Sequence, residues 1–125
     1  TLAFANRLNE AKADFVGLVS GKKEPEKIKK TGWKTTKSPH INAPIFEDFP
    51  LTLECQVVEM KEYTKGDIRV VGEVINTIAD NDILNDKGQI DIEKLQPILL
   101  DDSAASYRCV GEKIGKAYQD GNQFK

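Results

Sequence analysis

The chain has 125 residues, 39 % of them hydrophobic and 30 % charged, with a net charge of −2. That size suits a single domain, residues 1–125, able to bury roughly two-thirds of its unfolded surface. No apolar run approaches the roughly 20 residues that a bilayer-spanning helix needs, and no basic-then-apolar leader with a small-residue cleavage site is visible, so a cytoplasmic protein is expected, with no membrane contact.

In chain order, "TLAFAN" is a short strand-like piece with nothing ahead of it to pair with. In "RLNEAKADFVGLV", Leu8, Ala11, Phe15 and Leu18 recur at helical spacing, with Asn9 as a cap and Gly17 limiting the run. "EPEKIKKTG" reads as one short helix, with Pro25 near its first turn, lysines at its end and Gly32 as its stop. Three prolines in "SPHINAPIFEDFP" mark an extended surface connection.

The strongest local signal follows. In "LTLECQVVEM", Leu51, Leu53, Cys55 and Val57 alternate with Thr52, Glu54 and Gln56, and the phase slips at Val58 and Met60 as a bulge makes it do. "YTKGD" turns the chain and "IRVVGEVINTIAD" supplies a partner strand, with Gly72 marking a bend or a close backbone approach. Residues 50 to 79 are therefore expected to form an antiparallel hairpin. Beyond it come an acidic loop, an Asp-Lys-Gly turn, a short apolar segment ended by Pro97, and a tail whose Gly111, Gly115 and Gly121 favour loops.

Charge is unevenly placed. From Lys12 to Lys37, eight lysines face Asp14, Glu24 and Glu26, a balance of +5; from Asp80 to Asp102, seven acids face Lys87 and Lys94, a balance of −5. The lysine-rich half of the basic segment has no Arg and one aromatic, Trp33, whereas nucleic-acid surfaces combine a wider basic face with stacking rings. No nucleic-acid partner is expected.

Few side chains suggest chemistry. Cys55 and Cys109 belong to no metal or disulfide spacing; Cys55 reads as a small buried hydrophobe and Cys109 has only Arg108 beside it. His40 stands alone on the proline-rich connection and reads as a bystander. The acids Asp80, Asp82, Asp86, Asp91 and Glu93 lack the spacing of a calcium loop, so no metal is expected. Trp33, Tyr107 and Tyr118 could stack on a planar ligand, though sparse aromatics usually serve a core. The "VSGKK" segment could set the Ser20 hydroxyl, backbone amides and Lys22 around a phosphate, yet it lacks the spacing of a nucleotide-binding loop and also fits a solvated turn.

Four blocks then fall together: "DFVGLVSGKKEPEKIKKTG", "INAPIFEDFPLTLECQVVE", "VVGEVINTIADNDILNDKGQIDIEKLQPIL" and "YRCVGEKIGKAY". In this order and spacing the sequence resembles the flavin reductase-like, FMN-binding split-barrel family, in its flavoredoxin-like branch, from about residue 1 to 121. The resemblance implies a mainly β fold, a β barrel with short helices. Family members carry about 60 to 70 further residues ahead of the position of Thr1, still within one-domain size. The chain is thus read as the C-terminal two-thirds of such a barrel, lacking its first strands, with Thr1–Phe4 in a mid-barrel strand.

The resemblance adds to this reading of the site. It places Lys22 near a flavin phosphate, with Ser20 in the same turn, and it places Tyr118 of "GKAY" close to the flavin. A histidine often found ahead of the "GEV" strand corresponds to Asp67 here, an acid in place of a base. No catalytic residue is assigned. FMN would carry the redox chemistry, as a cofactor does. The implied activity is flavin reductase-like, with NAD(P)H as a possible donor. The alternatives are a flavoredoxin-type electron carrier served by a redox partner protein, and a flavin-free fragment that dimerises through its hairpin. Family members are typically homodimers, so a homodimer is expected.

Overall fold

The longest element is a two-stranded ribbon, β4 (Leu51–Thr64) and β5 (Asp67–Ala79), in a computed structural model that describes residues Thr1–Lys125. It is the hairpin that the alternating sequence predicts. Its tip is Lys65-Gly66, where Gly66 supplies the left-handed backbone (φ 97°) that closes the turn. The register runs from Leu51↔Ala79 to Thr64↔Asp67 and shifts between Val57 and Glu59, so the phase slip at Val58 is a bulge. Gly72 is a close approach: a Cβ there would lie 3.2 Å from Cβ of Cys55.

The remaining elements are short. They are β1 (Leu2–Ala3), α1 (Glu10–Leu18), α2 (Lys27–Thr31), β2 (Thr35–Lys37), β3 (Pro44–Phe46), α3 (Ile92–Leu95), β6 (Ile98–Asp101) and β7 (Ser106–Cys109). Strands dominate, with three short helices. The sheets are β1-β4-β5 and the antiparallel pairs β2-β3 and β6-β7. No helix is long and apolar enough to cross a membrane.

Four expectations need correction. The opening segment has a partner: β1 lies antiparallel to β4, Leu2 opposite Leu53 and Ala3 opposite Thr52, and Phe4 N donates to Leu51 O at 3.0 Å. The free outer edge at the start of β4 takes it up, a pairing that local sequence does not encode. The proline-rich connection is not wholly extended surface, because Pro44–Phe46 returns against Thr35–Lys37. In β4 the alternation placed Leu51, Leu53, Cys55 and Val57 inward. Leu51 is buried, but so are Thr52 and Glu54 of the opposite face, while Cys55 is half-buried and Val57 is 55 % exposed. The polar loop after β2 covers one face of β4. The apolar face of the outer ribbon, with Val57, Met60, Val70 and Val74, stays exposed. The fourth correction concerns His40, below.

The buried apolar core is small: Leu51, Ile83 and Leu95, with Phe4 and Ala79 packed against them. A second cluster is aromatic. Trp33 meets Phe46 and Phe49 edge-on at ring centroid distances of 5.7 and 4.8 Å, seating β3 beside the end of α2. The segment after β1 is tied to the start of β6, since Ile98 N donates to Ala5 O and Arg7 N to Gln96 O. Helix α2 stops at Gly32, left-handed at φ 71°, as the sequence suggests. Asn9 stands at the N-cap of α1 but spends its side chain elsewhere, accepting from Asn6 N and donating to Asp48 O.

Candidate functional site

The lysine-rich turn between α1 and α2 is built by Ser20. Its carbonyl accepts the amides of Lys23 and Glu24, each at 3.0 Å, and its hydroxyl accepts Lys22 N at 3.3 Å. The amides of Ser20 and Gly21 donate to no protein acceptor. The two acids of the turn are already matched: Glu24 pairs with Lys30 and Glu26 with Lys29. The Lys30 ammonium beside Glu24 holds its carboxyl below the usual range. Lys22 and Lys23 are exposed and form no ion pair. The surface therefore offers amides and ammonium groups with its carboxylates neutralised, a donor set that fits a phosphate.

Ser20 and Lys22 thus share one turn, but the other two predicted residues lie elsewhere. Asp67 opens β5 at the ribbon tip, where its Oδ2 accepts the Thr64 hydroxyl at 2.7 Å. Tyr118 lies in the tail, fully exposed and left-handed at φ 62°. No hydrogen bond or ion pair joins these three places, and none of the four residues lines the cleft between α1 and β7 or the one between α3 and the tail.

Sequence reasoning missed the most buried charge. Glu54 has 0 % of its surface exposed. Its Oε1 accepts the Ser38 hydroxyl; its Oε2 accepts Asn76 Nδ2 at 2.6 Å and meets His40 Nδ1 at 2.8 Å. These donors favour the anion and hold the Glu54 carboxyl down to about 2, the Ser38 hydroxyl most, then the Asn76 amide. His40 is therefore no bystander: it clasps the loop after β2 onto β4, with half of its ring in solvent. Asn76 stands opposite Glu54 in the register, so the ribbon places two of the four groups by itself. The third group, Ser38, also accepts His40 N and Ile41 N, a compact serine turn.

A cleft of about 530 Å³ lies between α1 and β7, lined by Arg7, Glu10, Asp14, Tyr107 and Cys109 among others. The Tyr107 hydroxyl donates to Asp14 Oδ1 at 2.9 Å, which pushes the phenol's pKa up, helped by burial and the nearby acids. Both thiols, Cys55 and Cys109, are free. In the acidic segment Asp91 caps α3 and Asp101 holds Arg108, and no group of three or more His, Cys, Asp or Glu side chains is placed to hold a metal.

Solved structures give this architecture a context. The flavoredoxin of Methanosarcina acetivorans superposes with a TM-score of 0.87 at 31 % identity, covering 98 % of this chain and 63 % of that one. Flavoredoxin of Desulfovibrio vulgaris (Miyazaki F) superposes at 0.85 and 28 % identity, covering 95 % and 62 %. The chain has the flavoredoxin-type split-barrel fold. It spans less than two-thirds of the length of those flavoredoxins. An FMN-binding domain of a flavin reductases-like enzyme from Shewanella baltica OS155, with a TM-score of 0.72, 16 % identity and coverage of 91 % and 61 %, shares the split-barrel fold alone. No protein-family model and no curated protein matches the chain.

Proposed function

We propose that this chain is part of an FMN-binding flavoprotein oxidoreductase in which the Ser20–Lys23 turn holds the flavin phosphate. The observation that carries the reading is the likeness to two flavoredoxins over 95 % and 98 % of the chain. The turn supports it independently, because its free amides and unpaired ammonium groups suit a dianion. When bound, the flavin supplies hydride or electron transfer. The chain's own contribution is to grip and orient: Lys22 as a mobile point charge, Ser20 as the residue that folds the turn, Tyr118 as a ring free to stack. Asp67, an acid, would repel a phosphate and is assigned at most a contact away from it.

NAD(P)H as donor, a homodimeric state and a cytoplasmic location are part of this proposal. The second reading is an electron carrier without NAD(P)H activity of its own, reduced through a partner protein. It is favoured by the two more similar neighbours both being flavoredoxins. A third, a flavin-free chain that dimerises through its hairpin, draws on the exposed apolar face of the ribbon. The test is to purify the full-length protein, identify any bound flavin, and follow NAD(P)H oxidation. Bound FMN with turnover supports the reductase, and bound FMN without turnover supports the carrier. Colourless protein that leaves FMN fluorescence unchanged defeats both.

A further inference from the structure

One lysine of the basic segment behaves unlike its neighbours. Lys29 and Lys30 pair with acids, and Lys22 and Lys23 point to solvent, but Lys27 binds backbone. Its ammonium donates to Val16 O and to Val19 O, both at 2.8 Å. These are carbonyls of the last turn and C-cap of α1, groups that any helix end leaves without intrahelical partners. Helix α1 has no basic residue in its own last turn, and its C-cap Val19 is extended rather than left-handed. Lys27 therefore brings from α2 the charge and donors that the end of α1 lacks.

The consequence lies in what is enclosed. Val19 is where the chain enters the turn and Lys27 is where it leaves, so the ammonium closes a loop around Ser20–Glu26. Inside that loop are the Ser20 carbonyl with its two amide donors, the Ser20 hydroxyl on Lys22 N, and the free amides of Ser20 and Gly21. At the exit Lys27 N also donates to Glu24 O at 3.2 Å. We infer that Lys27 is a positioning residue: by tying the exit of the turn to the end of α1, it holds the backbone donors and Lys22 in their anion-binding arrangement without touching the anion itself. The inference rests on the phosphate reading for the identity of the ligand, but the clamp is a property of the protein alone.

The test uses the full-length protein with Lys27→Met, which keeps the aliphatic stem, and Lys27→Arg, whose guanidinium can still donate to two carbonyls. Hydrogen exchange is read first, without ligand. Lys27→Met is expected to speed exchange of the Lys23 and Glu24 amides roughly tenfold while β4 and β5 are unchanged, and Lys27→Arg to retain protection. Unaltered exchange at those two amides overturns the clamp. Affinities for FMN and riboflavin are read next. Lys27→Met is expected to cut the preference for FMN roughly tenfold, with the loss in Lys22→Ala/Lys27→Met smaller than the sum of the two single losses, because Lys27 acts partly through Lys22. Additive losses would make Lys27 a direct phosphate ligand and overturn the positioning role, as would an FMN preference that Lys22→Ala lowers and Lys27→Met leaves intact. Faster exchange with no effect of Lys22→Ala on FMN preference upholds the clamp and overturns the phosphate reading.

Discussion

Replacing Glu54 by glutamine probes the buried polar cluster with a change of one atom. The geometry sets the size of the effect. Glu54 receives three donors, from Ser38, His40 and Asn76, and the Ser38 oxygen already accepts the amides of His40 and Ile41. Both lone pairs of that hydroxyl are therefore in use, and its hydrogen points at the carboxylate. A glutamine oxygen turned toward His40 and Asn76 leaves the amide nitrogen facing a hydroxyl that can accept nothing more. Turned the other way, the nitrogen faces the Asn76 amide nitrogen, a donor against a donor, and an imidazole nitrogen that must change tautomer to accept it. At least one buried donor is stranded in either case, and the thermal unfolding midpoint is expected to fall on the order of 10 °C.

The pH dependence gives the sharper check. The Glu54 carboxyl is lowered from 4.5 to about 2 in the folded protein, so the unfolded chain takes up its proton first on acidification. Its stabilising contribution is complete above about pH 4.5 and is lost as pH falls toward 2. Unfolding of wild type and Glu54→Gln, followed by circular dichroism from neutral to acid pH, should show a gap that is constant above that window and closes within it. A gap that persists unchanged to the acid end, or no gap at neutral pH, would refute the role given to this carboxylate.

Leu95, 1 % exposed in a core of three buried apolar residues, should cost about 2–5 kcal/mol when truncated to Ala, whereas Leu18→Ala at a 76 % exposed position should be near neutral; urea unfolding distinguishes the two. Asp14→Asn removes the hydrogen-bonded charge beside Tyr107 and should bring its raised phenol pKa back toward 10.0, read by ultraviolet titration with Tyr63 and Tyr118 changed to Phe.

The ribbon was legible because everything that makes it is local: alternation, a bulge where the phase slips, and a glycine at the tip. The same holds for α2, bounded by Pro25 and Gly32. Glu54 was not legible, because its burial depends on a loop fourteen to sixteen residues earlier folding over it, bringing Ser38 and His40 to its carboxylate. A glutamate at an outward position of an alternating strand looks like any solvent-facing acid. Lys27 was hidden for a related reason: among eight lysines, only the packing of α2 on α1 separates the one that caps a helix from those that face water. The pairing of β1 and the exposure of the apolar ribbon face are likewise tertiary outcomes. Of the site, the turn with Ser20 and Lys22 could be read locally, while Asp67 and Tyr118 rested on resemblance.

The most direct measurement is a paired titration of the full-length protein with FMN and with riboflavin, which share a ring and differ in the phosphate. The account predicts tighter binding of FMN in the wild type, and a Lys22→Ala variant whose affinity for FMN falls toward that for riboflavin, with riboflavin itself little affected. Equal losses for both flavins, or no quenching of either by the wild-type protein, would contradict it.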